Sequence, residues 1–171
     1  MRKKTQFTHP RILTTERQIV PNAPTDGDEV FCNGVFHFHI SALLRWLEQS
    51  PQKTLQIPVR CWNTLYGLEE EHINAADIFR PIVIAEIAPD YRDFLPDIPE
   101  EDWLSRGYVC IDGNHRLEKA RRMGLDTLPA VVLKMEQHIL FMYSGYDHYV
   151  EYWNRKLEER TAASERQAKR K

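Results

Sequence analysis

The chain has 171 residues, 42% of them hydrophobic and 11% aromatic, with a formal net charge of −2. That length and composition describe one globular domain with a real core and argue against a disordered chain. No apolar run is long enough to cross a bilayer, and the overall acidic balance does not suggest a dedicated nucleic-acid binder.

The opening residues MRKKTQFTHP have no apolar stretch after their basic residues, so no secretory leader and a cytoplasmic location are expected. Cys32, Cys61 and Cys110 lack C-x-x-C spacing, which argues against a disulfide framework or a zinc cluster, and Cys110 reads as a small core residue. Charge is unevenly distributed: residues 155–171 sum to +4 and the preceding chain to −6. The basic end reads as a solvated tail that could touch phosphate.

Residues 1–29, with Pro10, Pro21 and Pro24, show no sustained period and read as an arm over a domain spanning 30–134. Val30 to Ile40 contains Asn33-Gly34 between apolar runs, a two-residue hairpin signal. Phe36, Phe38 and Ile40 then share one face and His37 and His39 the other. Two histidines at that spacing can bind a metal, but no third ligand follows, so they read as a solvent- or partner-facing pair and no metal ligand is assigned.

Ser41 is expected to cap a helix through Gln49, with Leu43, Leu44 and Leu47 inward and Pro51 preventing continuation. Thr54 to Trp62 reads as a strand placed at an edge or bulge by Pro58. After a loop at Asn63 to Gly67, a helix is expected from Leu68 to Phe79, where Glu69, Glu70 and Glu71 complement the helix dipole. Glu71 or His72 becomes a candidate base or magnesium ligand only if it faces the chemistry described below. Pro81 to Ala88, PIVIAEIA, reads as a central strand buried on both faces. The proline-rich, acidic stretch Pro89 to Arg106, with one helical turn at Pro99 to Leu104, reads as a lid or a surface insertion.

The stretch that concentrates chemistry is GYVCIDGNHRLEKARRMGLDTLPAVVL, Gly107 to Leu133. It reads as a strand (Tyr108 to Ile111), a junction Asp112-Gly113-Asn114-His115-Arg116, a helix to Met123 and a second strand from Leu128 to Leu133. Asp112 or Asn114 can cap the helix, and Gly124 suits a left-handed C-terminal residue. Leu117, Ala120 and Met123 make the buried face. A helix N-terminus carries a partial positive charge, yet His115 and Arg116 occupy the first turn. Free amides, a glycine permitting close approach and an arginine fork together describe a phosphate site. The structural alternative is that Arg116 pairs with a carboxylate such as Glu86 or Asp112. Both readings are open at this level.

Beyond Leu133, helices are expected from Met135 to Tyr143 and, after Ser144-Gly145, from Tyr146 to Arg160, making residues 135–171 a C-terminal helical extension. Tyr149, Tyr152, Trp153 and Leu157 share one side of the second, a face for the domain or for a homodimer partner.

Leu55 to Lys134, with Ile57-Pro58-Val59, a helix ending Ala76-Asp77, Pro81 to Ile84, and then YVCIDGNHRLEKARRMGLDTLPAVV, resembles the ParB/sulfiredoxin superfamily. The fold implied is α/β: a compact domain with a small mixed sheet and flanking helices. The resemblance also implies a nucleotide, ATP or another, whose phosphates sit on Gly113, Asn114, His115 and Arg116. Asn114 stands where sulfiredoxins carry their catalytic cysteine, which removes sulfinic acid reduction. Partition proteins read G-E-R-R there and continue into a DNA-binding domain for which this chain has no room, so specific DNA binding is not expected. The stand-alone D-G-x-H-R proteins, which include kinases of free serine, are the most similar by motif. They imply an NTPase or phosphotransferase with Mg2+, a small-molecule or protein acceptor, and Asp112, His115 and Glu71 as candidate catalytic groups. A non-enzymatic nucleotide- or anion-responsive switch engaging a protein or DNA is the alternative, and a nuclease a more distant one.

Overall fold

The computed structural model describes residues 23–63 and 67–170. The expected N-terminal arm falls mostly outside the described residues, as does the middle of the loop at Asn63 to Gly67. Secondary structure runs β1 (Val30–Asn33), β2 (Phe36–His39), α1 (Ile40–Gln49), β3 (Thr54–Pro58), α2 (Glu70–Ala75), β4 (Ile82–Glu86), α3 (Trp103–Arg106), β5 (Tyr108–Asp112), α4 (Asn114–Arg122), β6 (Thr127–Leu133), α5 (Met135–His138), β7 (Met142–Ser144) and α6 (Tyr146–Ala168). This is a mixed α/β fold with two small sheets.

The larger sheet has the order β3-β6-β4-β5. Strand β4 pairs parallel with β6 and antiparallel with β5, and all five of its residues are buried. Its alternation separates two cores. Val83 and Ala85 join Phe36, Phe38, Leu43, Tyr149 and Trp153, whereas Ile82 and Ile84 join Ile57, Leu117, Ala120 and Leu128. Pro58 ends the edge strand β3, where its missing N–H costs no ladder bond. A single 3-10 turn, Val59–Cys61, replaces the strand expected to reach Trp62.

The smaller sheet is antiparallel in the order β1-β2-β7. Asn33 pairs with Phe36, so the hairpin loop is Gly34-Val35, one residue later than the Asn33-Gly34 signal. Ser41 does not cap α1. Glu29 does, its carbonyl accepting from the Ile40 and Ser41 amides at 2.9 and 3.2 Å, while the Ser41 hydroxyl accepts from the Glu29 amide at 2.8 Å. Strand β7 replaces the second half of the expected helix 135–143 because β2 needs a partner along its outer edge.

Residues 135–170 therefore complete the core. Tyr149, Trp153 and Leu157 are fully buried against the same chain, and α6 continues to Ala168 where a solvated tail was expected. Gln167 on α6 reaches Asp97 at 3.1 Å, and Arg160 stacks over Tyr91 at 4.9 Å. No helix among the described residues is long and apolar enough to cross a membrane.

His138 is wholly buried between the two aromatic side chains Phe38 and Tyr149, with Nε2 2.6 Å from the Glu86 carbonyl. Burial holds its pKa down at about 4 against the ordinary 6.5. Between those values the unfolded chain takes up a proton that the fold refuses, so stability falls as pH drops from 6.5 toward 4. We expect a loss on the order of 3 kcal/mol across that window. His138→Gln should flatten this part of the acid limb when unfolding free energy is followed against pH. The contribution of Asp90, whose carboxyl is held below 3.8, is lost only at lower pH and should survive in that variant.

Candidate functional site at the start of the central helix

Strand β5 ends at Asp112, opposite Val83 at the beginning of β4, so the Asp112 to Arg116 junction lies at the end of the sheet where β4 enters. Gly113 is the N-cap of α4 with φ +98°, and it contributes no side-chain cap. A Cβ at that position would stand 2.5 Å from Ile82 Cγ2 and 3.0 Å from Arg116 Cζ, so both backbone conformation and packing demand glycine. Neither Asp112 nor Asn114 caps the helix. At the other end Gly124, at φ +69°, closes a Schellman motif: its amide donates to Arg121 O and the Leu125 amide to Ala120 O, both at 3.0 Å. Met123, expected on the buried face, is 54% exposed although its amide still bonds Lys119 O, because six residues of helix carry it round and away from the face of Leu117.

Arg116 is buried, and its guanidinium is committed. One nitrogen donates to Asp112 Oδ2 at 2.7 Å; another donates to the backbone carbonyls of Arg80, at 3.0 Å, and Pro81. Of the two carboxylates considered for it, Asp112 is the partner. Glu86 sits at the opposite end of β4, buried, with its Oε1 3.4 Å from Lys134 Nζ. A cation in the first turn of α4 is thus explained by the carboxylate one residue before the N-cap, and Arg116 is a strut rather than an open fork.

The other side chains of α4 grip the segment before β4. His115, half-buried, meets His72 edge-to-face at 5.3 Å. Lys119 Nζ donates to the carbonyls of Asn74 and Ala76 at 2.7 and 2.8 Å, satisfying the last carbonyls of α2. Arg122 binds both oxygens of Glu70, at 2.7 and 2.8 Å, and Arg121 donates to the Trp62 carbonyl at 2.8 Å. Helix α2 is shorter than the expected 68–79 because Ala76 turns extended and Asp77 forms a side-chain turn. Glu71 is exposed, whereas Glu70 and His72 on the same helix contact Arg122 and His115 of α4. The junction therefore assembles Asp112, Gly113, Asn114, His115 and Arg116, with His72 added and Glu71 left at the periphery.

Among the described residues no group of three or more His, Cys, Asp or Glu is placed to hold a metal. His37 and His39 take separate partners: His37 contacts Gly34 O at 2.8 Å and Ser144 Oγ at 2.9 Å, and His39 lies 3.2 Å from Asp28. His39 is buried, and His37 is half-buried on the face of β2 opposite Phe36 and Phe38. Cys110 is buried, which pushes its thiol up to about 12.

A second constellation closes the far end of the sheet. Arg106 binds Asp90 in a bidentate pair, with Nε 3.1 Å from Oδ1 and a terminal nitrogen 2.5 Å from Oδ2. The Tyr108 hydroxyl donates to Asp90 at 2.9 Å and accepts from Lys134 Nζ at 2.7 Å. Glu86 accepts from the amides of Asp90 and Met135 at 3.3 and 3.4 Å. Burial alone would raise the Asp90 pKa, but the bonds from Arg106, the Arg92 amide and Tyr108 outweigh it and hold the carboxyl below its usual range. The legible signal was Glu86, a lone charge inside an apolar run. This network ties Asp90 and Arg106, near the two ends of residues 87–106, to the end of the sheet remote from Asp112, while Glu101 lies 4.0 Å from Arg60 in the turn after β3. A shallow cavity of about 230 Å3, lined by Leu95, Ala163, Arg166, Gln167 and Arg170, belongs to this remote side.

With the geometry in place, comparison with known proteins yields no family model, no curated protein and no solved structure that matches this chain. The site stands on its own geometry.

Arg116→Ala should cost about 3 kcal/mol of stability in urea unfolding, because it strands Asp112 and two carbonyls. Arg116→Lys should recover only part of it, since an ammonium cannot serve three acceptors with the same planar fork.

Proposed function

We propose that this chain binds the phosphates of a nucleotide at the start of α4, as a ParB/sulfiredoxin-like domain of the stand-alone D-G-x-H-R type. The observation that carries this reading is an uncapped helix start. Helix α4 has nine residues, no acid in its first turn and a glycine N-cap without a side-chain acceptor. Its first intrahelical bond is Leu117 N to Gly113 O at 2.9 Å, so the amides of Asn114, His115 and Arg116 precede the ladder. Two short turns carry an aspartate cap, Asp90 accepting from Arg92 N and Asp102 from Ser105 N, whereas α1, α2 and α6 start without a side-chain cap as α4 does. Asp112, one residue before the N-cap, bonds Arg116 and does not cap the helix. Amides at a positive dipole end are the chemistry that receives phosphate.

Binding is better supported than turnover. Asp112, the candidate base, is neutralised by Arg116, and Glu71 is not among the α2 side chains that reach α4. We therefore favour a nucleotide- or anion-responsive module over a phosphotransferase. Transfer is the second reading, carried by the His72–His115 pair, whose edge-to-face imidazoles offer a proton acceptor on the first turn of α4. No step is assigned to Mg2+, because the donor set for a divalent cation is not assembled at the junction among the described residues.

Asn114→Asp separates a phosphate site from an ordinary helix start. A carboxylate at the first helical position should hold or raise the melting temperature, worth about 0.3–1 kcal/mol, while repelling phosphate. Calorimetry with ATP, ADP, CTP and GTP in magnesium should show at least roughly tenfold weaker binding for the variant. Equal affinity in the two proteins, or no binding by the unaltered chain, would sink the proposal. Phosphate release under the same conditions decides between the module and the phosphotransferase.

A further inference from the structure

We infer that Ser144 is a nucleophile with His37 as its general base, a second site that takes a carboxylic ester and belongs to the small sheet rather than to the start of α4. The observation is a line of three hydrogen-bonded groups on the outer face of that sheet. His37 Nε2 lies 2.8 Å from the Gly34 carbonyl, and its Nδ1 lies 2.9 Å from the Ser144 hydroxyl. A carbonyl can only accept, so Nε2 carries the ring proton. In the neutral imidazole Nδ1 is then a bare lone pair, and the Ser144 hydroxyl donates to it. A serine, a base and a third group that fixes the tautomer of the base are the arrangement that activates an alcohol.

The fold holds this line from several sides. Cys32, His37 and Ser144 are laterally paired across β1, β2 and β7. The register of β7 shifts at this point, so Tyr143 has no partner of its own on β2. Its ring instead meets the His37 ring edge-on at 5.9 Å, and its hydroxyl lies 3.0 Å from Cys32 Sγ. A register shift of this kind re-aims side chains, and here it gathers Tyr143 and Ser144 at one imidazole. Behind the ring, Gly145 comes so close to the hairpin that a Cβ there would stand 2.9 Å from Val35 O and 3.6 Å from His37 Cδ2. Phe36 and Phe38 turn into the core, whereas His37 and Ser144 keep part of their surface in solvent, where a substrate can reach them.

The chemistry balances with these groups alone. Ser144 Oγ attacks the ester carbonyl carbon while its proton passes to His37 Nδ1. Collapse of the tetrahedral intermediate breaks the acyl C–O bond, and His37 gives that proton to the departing alkoxide. Water then repeats both transfers at the acyl-serine, releasing the carboxylic acid and restoring the hydroxyl. The chain passes from β7 through Gly145 into α6 directly after Ser144, so the amide end of a helix follows the nucleophile. That helix start marks nothing by itself; the serine and its base do. Asp147, in the first turn of α6, disfavours a standing anion, which selects a neutral carboxylic ester over a phosphate ester.

The test is labelling of the full chain with an alkyl fluorophosphonate, located by peptide mass spectrometry, alongside hydrolysis of p-nitrophenyl acetate. The native chain should take its label on Ser144 and not on Ser41, Ser50, Ser105 or Ser164, and the urea-unfolded chain should take none. Ser144→Ala should melt as the unaltered chain does and lose both label and hydrolysis. His37→Gln should slow labelling by at least about a hundredfold. Should His37→Gln not fold, Ser144→Cys tests the base with His37 in place: the introduced thiol should react with iodoacetamide faster than the exposed Cys32. A slower reaction there means that no base serves position 144. The inference is overturned by a native chain that takes no label, by a label on another residue in place of Ser144, or by a Ser144 label that His37→Gln does not slow. Hydrolysis that is absent, or that Ser144→Ala leaves intact, overturns it equally.

Discussion

Strand β4 has no solvent side. With Val83 and Ala85 in one core and Ile82 and Ile84 in the other, every other element is arranged to cover it. Its two ends are where polar backbone and charge must be reconciled with burial, and the chain solves each end differently. At the entrance Arg116 takes the Arg80 and Pro81 carbonyls and balances its charge on Asp112. At the exit Glu86 is enclosed by two amides and Lys134, beside the Asp90, Arg106 and Tyr108 set. Both are buried, well-bonded pairs, and such pairs specify a unique arrangement more than they add net stability.

The entrance has a consequence for how its motif is read. D-G-x-H-R contains a glycine and an arginine that a phosphate site would want, and here the fold itself demands both. Ile82 excludes any Cβ at Gly113, and Arg116 holds the turn before β4 to the helix. What the packing does not account for is the unfilled helix start and the choice of Asn114, which adds neither cap nor charge. On the proposed reading, the motif is structural in its ends and functional in its middle, with phosphate taken by backbone amides that the side chains only position.

The elements that were legible in the chain were those with a strong local pattern: the buried run of β4, the hairpin, the strand-helix-strand of residues 108–133 and the apolar face of α6. Boundaries failed where a long-range partner decided them. The helix expected over 135–143 yields to β7 because Met142 faces Phe38, and the helix expected over 68–79 stops where Lys119 captures its carbonyls. For the site, the residues of the junction were visible, but which carboxylate Arg116 would choose depended on the antiparallel run of β5 against β4. The role of Lys134 and Tyr108 had no local signature at all, since their 2.7 Å contact joins separate strand ends.

The pairing of β2 with β7 links His37 to Ser144 and Phe38 to Met142. Phe36, Phe38 and Leu43 share one core with Val83, Ala85 and Leu133 and also with Tyr149 and Trp153, which come much later in the chain. A chain emerging from the ribosome must therefore hold that early apolar face without its full cover until α6 has been made. Such closure over long sequence separation is slow, and the waiting surface is the kind that recruits chaperones or aggregates. The order of synthesis, more than final stability, is then the vulnerable point of this fold.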